Sequence, residues 1–457
     1  MSATPPAART ADFDLLLTEL TVVTVDAAMT VIEDAAVGTS GGRIAWVGPL
    51  AALPAGATAG ARRALPGRVM MPGLVNVHTH AILTMVRGVA EDLGFAPAYT
   101  PGIPHGHDVT EDEAVALARL GAVEALSFGS TLINDTYVHA DLTLPAMAGL
   151  GMRIFSCGRI HDADFSLIGD GRWEHHAAIG ERTLGDALAL AERWHGAFDG
   201  RAGVQLAAHA PDTCSDDLLR MIARESERRG LRVNTHLVQS RKEVEQVMRR
   251  SGRTPPQLLE EVGLLNDRLL AAHCIWMDDD DIARCGRAGI HVAHIPKGNA
   301  TGGTAAPTSK LRRAGARLTL GSDNMHADVV EVMRWALAIG RLQETKVDDA
   351  WQPEHVLRMA TIDGARAMGL DAEIGSIEVG KKADLVAFDF RRPHLVPCID
   401  PVGNLVHVAQ GRDVEHVWVD GRQVIDAGRP TQADLDAILG DAQKAADALW
   451  RRAREAA

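Results

Sequence analysis

Between residues 71 and 374 the chain alternates short apolar runs of β type with amphipathic helical segments, and this alternation limits the fold more than any other feature of the sequence. The helical segments are Glu111–Ser127, Leu184–Phe198, Asp216–Arg229 and Val329–Gln343. The strand-like runs are Ser130–Asn134, Arg153–Ser156, Val204–His209, Arg232–His236, Leu269–His273, Ile290–His294 and Arg317–Gly321, with Leu74–His80 before them. Strands separated by helices must run parallel, because a parallel pair needs a crossover long enough to hold a helix. The count predicts a (β/α)8 TIM barrel. The competing α/β arrangement is a doubly wound open sheet, but no Gly-x-Gly-x-x-Gly follows the first apolar strand.

The two ends of the chain read as β instead. Leu15–Leu17, Leu20–Val25 and Gly41–Gly48 are short strands near the start, Ala383–Asp389 is another near the end, and His416–Val424 is a hairpin turning at Asp420-Gly421. At 457 residues the chain exceeds the roughly 250–300 residues one core supports, so a second, smaller domain is expected. The boundaries fall at 1–70, 71–374 and 375–430, and 431–457 forms a terminal helix with Thr431 as its N-cap. The net charge of −13 argues against nucleic acid or an anionic membrane as partner. There is no apolar run of membrane-spanning length, and the first fourteen residues hold no apolar core of a secretory signal. Five scattered cysteines (Cys157, Cys214, Cys274, Cys285, Cys398) fit reduced thiols and a cytoplasmic location.

Six of the strand-like runs end in histidine or aspartate, at His78-Thr79-His80, His209, His236, His273, His294 and Asp323. Alternation along a strand puts His78 and His80 on one face. In a parallel barrel all strand C-termini open on one side, so these polar ends converge. Each alone could be a satisfied core histidine; together they read as a metal or catalytic site. Three histidines and a carboxylate leave a divalent ion one open position, where a water's pKa falls from 15.7 toward about 7. The metal fits zinc best, with iron, manganese or cobalt compatible with the same ligands.

The motifs carrying this pattern are Met71-Pro72-Gly73-Leu74-Val75-Asn76-Val77-His78-Thr79-His80, Met85-Val86-Arg87-Gly88, His209-Ala210-Pro211-Asp212-Thr213-Cys214-Ser215, Thr235-His236-Leu237, Ala272-His273-Cys274, Gly321-Ser322-Asp323 and the stretch Gly375–Val386. With them the chain resembles the amidohydrolase superfamily, in the branch holding cytosine- and guanine-type deaminases, triazine hydrolases and methylthioadenosine deaminase. The resemblance implies that His78, His80, His236 and Asp323 hold a single divalent metal ion. It makes His273 and Asp323 the catalytic pair, and gives His209 and Asn299 to the substrate pocket, with His294 supporting it; His326 is read as a substrate contact from its place on the loop after Asp323. It also implies a composite β-sandwich from both chain ends and a homo-oligomer.

One position departs from that pattern. Deaminases of this branch carry His-x-x-Glu, whereas this chain reads His236-Leu237-Val238-Gln239. Gln239 can hydrogen-bond a substrate but cannot carry a proton. The departure shifts the expectation toward hydrolysis of a small neutral amide, urea or (thio)carbamate, such as a phenylurea-type compound. The alternative is an aminohydrolase or dechlorinase of a pyrimidine, purine, pterin or s-triazine ring. A third reading, a non-catalytic binding protein on the same fold, predicts a missing ligand, and none of the five core positions is missing. His105 and His107 form a second His-x-His inside the Pro/Gly-rich stretch 96–107 and are read as a decoy or a lid contact. His175-His176 are read as surface, Asp278–Asp281 as a helix N-terminus and Asp328 as a helix cap.

Overall fold

A computed structural model describes residues 12–93, 103–323, 326–347 and 349–456, so the start of the chain, most of the Pro/Gly-rich stretch and Asn324-Met325 lie outside it. Eight parallel strands follow one another around a barrel: Leu74–Thr79, Ser130–Tyr137, Arg153–Ile160, Leu206–Ala208, Val233–Leu237, Leu269–His273, His291–His294 and Arg317–Leu320. Helices cover the outside, including Glu111–Ser127, Ala177–Trp194, Asp216–Arg229 and Val329–Glu344. The fold is the expected α/β TIM barrel, joined to a sheet built from both chain ends.

The barrel closes between its first and last strands just where the chemistry-bearing residues lie. Thr79 pairs with Asp323 in a parallel bridge. Asp323 N–H donates to the His78 carbonyl at 2.9 Å, and His80 N–H donates to the Asp323 carbonyl at 3.3 Å. Beneath them Asn76 Nδ2 donates to Ser322 Oγ at 2.7 Å while Ser322 N–H returns a bond to Asn76 Oδ1 at 3.1 Å. Gly321 permits this approach, since a Cβ there would sit 2.8 Å from His78 Cβ.

Two barrel strands run past the expected ends, to Tyr137 and Ile160. The second ends in the buried Asp135-Thr136-Tyr137 and the third runs through Gly158 and the half-buried Arg159 to Ile160, so the apolar pattern breaks while each strand continues. Asn134 Nδ2 donates to the Val77 carbonyl at 2.9 Å, and Asn234 Nδ2 donates to Cys157 Sγ at 2.7 Å across the barrel interior. The fourth strand is interrupted at Gln205, leaving Ala202–Val204 and Leu206–Ala208.

The terminal sheet runs in the order Arg429–Pro430, Arg422–Asp426, Val414–Val419, Leu385–Asp389, Arg68–Pro72, Asp12–Val23, Val31–Ser40, Arg43–Pro49, and Thr58–Ala64 also pairs with Asp12–Val23. The two short strands expected near the start are one strand, kinked where Glu19 takes φ 60° and the register shifts. Period-two alternation sorts its residues. Met70, Leu385, Ala387 and Trp418 form a core within the sheet, while Val69, Met71, Val386, Phe388, Val417 and Val419 join the main core. Arg153 ties barrel to sheet, with Nη2 at 3.1 Å from Asp384 Oδ1 and 2.6 Å from Asp420 Oδ1.

The terminal helix spans Leu435–Ala456, and its cap differs from the expected Thr431. Asp434 Oδ1 accepts from the Asp436 and Ala437 N–H groups, while the Thr431 hydroxyl donates to the Gln423 carbonyl at 2.8 Å and is consumed by the preceding hairpin. Asp328 does cap the helix Val329–Glu344, accepting from Glu331 N–H at 3.1 Å.

The seam generates a prediction. Asn76→Ala leaves the Ser322 N–H without its acceptor in the closed wall and costs about 1–3 kcal/mol. The loss is expected as a lower urea midpoint with an unchanged slope.

Candidate metal centre

His78, His80, His236, His273 and Asp323 meet at the C-terminal mouth of the barrel. Two overlapping sets each bring their ligand atoms within 4.8 Å of one another: His78, His236 and His273, and His78, His80 and Asp323. His80 Nε2 lies 3.3 Å and His78 Nε2 3.8 Å from Asp323 Oδ1. The His236 ring stands 5.5 Å from that of His273, and the His78 ring 4.9 Å from that of His236.

Hydrogen bonds behind the rings fix which nitrogen faces the centre. His80 Nδ1 meets the Thr136 carbonyl at 2.5 Å and His236 Nδ1 meets the His209 carbonyl at 2.7 Å. A carbonyl only accepts, so each Nδ1 carries the proton and each Nε2 keeps its lone pair. His80 Nε2 and His236 Nε2 then face each other at 3.4 Å beside the Asp323 carboxylate, and His78 Nε2 and His273 Nε2 are buried without a partner among the described residues. Lone pairs and a carboxylate converging in a dry site repel one another unless a cation lies among them. This donor set fits a divalent metal with nitrogen and oxygen ligands.

The electrostatics agree. Burial, reinforced by neighbouring imidazoles, holds His78 and His236 well below the usual histidine range. Burial also lowers His80 to about 4, opposed by Asp323. The rings are therefore neutral at physiological pH, the form that ligates metal. His273 (φ 72°) and Asp323 (φ 64°) both occupy the left-handed region, at a cost on the order of 1–3 kcal/mol each that the closed barrel must absorb.

Around this cluster, His209 lies with its ring 5.0 Å from His236 and its Nδ1 2.8 Å from Thr213 Oγ1. Asn299 Oδ1 is spent on His273 Nδ1 at 3.0 Å, so this residue orients an imidazole, and only its Nδ2 is left without a partner among the described residues. His326 is half-buried with both ring nitrogens shielded and without a hydrogen-bond partner among the described residues, and the fully buried His294 likewise has none. Gln239 follows Val238, whose φ is 46°. Both backbone N–H groups are held by the buried Glu243, Val238 to Oε1 at 2.7 Å and Gln239 to Oε2 at 2.8 Å.

Beside the cluster opens a cavity of about 450 Å3, lined among others by His107, Tyr137, Arg159, His161 and Phe165. Its walls touch the cluster, since the Tyr137 ring lies 5.4 Å from His80 and the Phe165 ring 5.1 Å from His209. Arg159 packs its guanidinium against Tyr137 at 4.6 Å and Phe165 at 5.0 Å, with Nε buried and unpartnered among the described residues. His107, read from sequence as a decoy, belongs to this wall, its ring 5.8 Å from Phe165. His175 is not simply surface either, because its Nδ1 meets Asp162 Oδ1 at 2.6 Å. The signal missed in the sequence was strand length. Carried on to Ile160, the third strand presents Arg159 and His161 at the mouth.

Comparison with known proteins assigns the class. Residues 69–424 match the sequence profile of the Amidohydrolase family, and the chain belongs to that family. It is 34% identical over 441 residues to a 5-methylthioadenosine/S-adenosylhomocysteine deaminase of Moorella thermoacetica, covering 94% of this chain and 98% of that protein. It is 32% identical over 447 residues to a 5'-deoxyadenosine deaminase of Methanosarcina barkeri, covering 96% and 99%. Among solved structures it is similar to an adenosine deaminase from Xanthomonas campestris with bound zinc, at TM-score 0.86 and 27% identity over 96% of this chain and 99% of that one. A triazine hydrolase variant shares the fold at TM-score 0.84 and 22% identity, covering 94% and 99%. The chain is thus a hydrolase acting on C–N bonds, and its relatives favour the ring-deaminase alternative over the phenylurea-type reading. No helix among the described residues is long and apolar enough to cross a membrane.

The buried imidazoles predict acid sensitivity. Their folded pKa values lie below the unfolded value of about 6.5, so the unfolded chain binds more protons in that window. The contribution of these rings to the stability of the metal-free protein is therefore full above pH 6.5 and is lost toward about pH 4, where His80, His107 and His161 titrate, while Asp135, raised to about 7 by burial, contributes with the opposite sign. Thermal midpoints measured in chelator should fall less between about pH 6.5 and 4 in a His80→Asn variant than in the wild type; equal falls would contradict the neutral ring assigned to His80.

Proposed function

We propose that this chain is a metal-dependent aminohydrolase that releases ammonia from an aminated nitrogen heterocycle, with a purine nucleoside as the first class to test. The observation that carries the reading is the facing pair of His80 and His236 lone pairs beside Asp323, in a chain alike along nearly its whole length to adenosine-type deaminases. His78, His80, His236 and Asp323 would hold one divalent ion, zinc being the ion in the adenosine deaminase of similar fold. When bound, such an ion supplies Lewis-acid activation of water.

The chain's own groups do the rest. The Asp323 carboxylate is the acceptor for the proton of the attacking water. His273, held through Nδ1 by Asn299, keeps Nε2 free to exchange a proton with the substrate carbon's substituent. The proton taken up by Asp323 leaves with the amine as ammonia. Gln239 hydrogen-bonds the ring without transferring a proton. The adjoining cavity receives the substituent of the ring, with Arg159, Tyr137 and Phe165 as its walls. His209 and His326 border the same space.

The test is a turnover screen of the metal-reconstituted protein with adenosine, 5'-deoxyadenosine, aminated pyrimidines and triazines, set against ureas and carbamates, with ammonia and product masses as readouts. Ammonia from a ring amine supports the proposal; release of an alkyl- or arylamine with carbon dioxide overturns it in favour of the carbonyl reading. Asp323→Asn is expected to lower kcat by at least about 100-fold, as loss of a general base does. His209→Ala is expected to keep the metal, whereas His236→Ala should lose it, both read by metal analysis of the purified protein.

A further inference from the structure

We propose that the C-terminal helix Leu435–Ala456 is part of the architecture of the substrate pocket, with Trp450 and Arg452 as positioning residues that pin the pocket wall from outside the barrel. His80 ends the first barrel strand and the chain turns at once into the short 3-10 helix Ala81–Val86. Trp450 Nε1–H donates to the Met85 carbonyl of that turn at 2.8 Å. Two residues on, Arg452 Nη2 donates to the Asp108 carbonyl at 3.0 Å. The same guanidinium grips the Glu113 carboxylate at 2.7 and 2.6 Å, and Glu113 in turn caps the Thr110 N–H at 2.9 Å.

These anchors act on residues that form the pocket. The turn His105–Asp108 is tied internally by His105 N–H to Asp108 Oδ2 at 2.7 Å. It is set against the barrel by Gly106 N–H, which donates to the Tyr137 hydroxyl at 3.2 Å. A Cβ on Gly106 would lie 2.0 Å from the Tyr137 ring, so the contact is backbone against ring. The Tyr137 ring lies tilted against His80, and the turn delivers His107 to the wall shared with Phe165. Movement of Asp108 is thus movement of His107, and movement of Met85 lies five residues from His80.

The helix does not need these two side chains to dock. Ile438, Ala442, Ala445 and Leu449 repeat at helical spacing and are buried, and this stripe holds the helix to the barrel wall. Arg452 is 44% exposed at its side chain, so its removal opens no cavity. Polar anchors added beyond a sufficient apolar stripe fix a loop rather than a core.

The proposal rests on the reading that the cavity receives substrate only for its kinetic arm. In the full-length, metal-loaded protein, Trp450→Phe keeps the ring and removes the N–H, and Arg452→Gln removes the charge. The double variant is expected to exchange amide hydrogens about tenfold faster in residues 81–90 and 103–110, as loss of charge-assisted bonds implies, with Leu269–His273 unchanged. With adenosine as probe, KM should rise roughly five- to tenfold and kcat stay within about twofold, the signature of lost binding rather than lost chemistry. Arg452→Lys should recover part of the effect. Wild-type exchange in those two stretches overturns the proposal, as does faster exchange with an unchanged KM. If the wild type does not turn over adenosine, the kinetic arm uses the ring amine that the turnover screen identifies; if it turns over none, the functional reading fails and the exchange result decides the proposal alone.

Discussion

The pairing of Thr79 with Asp323 joins two things that are usually argued apart, the closure of the barrel and the assembly of its chemistry. No single crossover in sequence joins the first and last strands, so chain connectivity does not set their register. Their alignment depends on the Asp323 N–H reaching the His78 carbonyl, on His80 N–H reaching the Asp323 carbonyl, and on the reciprocal pair of Asn76 and Ser322 below. A one-residue slip would turn His78 and His80 away from the interior, because side chains alternate along a strand. Register at the seam therefore decides whether the two histidines and the aspartate face one point.

What the seam assembles is costly to the protein by itself. His80 and His236 are bound through Nδ1 to carbonyls and forced to turn bare Nε2 atoms toward each other. His273 and Asp323 sit in left-handed backbone conformations that side chains resist. Buried polar layers beneath, with Asn134, Cys157 and Asn234 bonded to one another, keep the barrel interior rigid enough to hold that arrangement. An unfavourable cluster held by a favourable scaffold is what a preformed site for a cation requires, since binding then spends little on rearrangement.

Much of this was legible in the sequence because strand ends announce themselves when an apolar run stops at a histidine. Leu269–His273 matches its expected bounds to the residue for that reason, and the helix Asp216–Arg229 does so because Ser215 caps its start and Gly230 ends it at φ 68°. Arg159 and His161 escaped notice because the apolar run stops at Ser156, while the strand goes on through Cys157, Gly158 and the half-buried Arg159 to Ile160 and hands the chain to His161. His107 was hidden by its position in a Pro/Gly-rich stretch, where contacts with distant segments, such as Gly106 N–H to the Tyr137 hydroxyl and Arg452 to the Asp108 carbonyl, fix its orientation. The Thr431 cap failed through competition, because its hydroxyl was already bonded to Gln423. Local patterns predict local structure; contacts between distant segments decide which pattern prevails.

Gln239 shows how such distant contacts bear on function. Sequence alone made it the residue on which the substrate turned, since an amide cannot replace a carboxylic acid as proton carrier. In the structure the acid of this loop is Glu243, one helical turn further along the chain and fully buried, with burial and the nearby Asp212 raising its pKa well above the usual carboxylate range. Its two oxygens accept the Val238 and Gln239 N–H groups, so the carboxyl is engaged with the backbone that presents Gln239. Holding that turn, with Val238 in a left-handed conformation, fixes where the amide of Gln239 can go. The loop holds a buried acid against its own backbone, four residues after the position where the resemblance expects one for proton transfer. Under the aminohydrolase reading the proton traffic then falls to Asp323 and His273, the two residues whose strained backbones are set by the closed barrel.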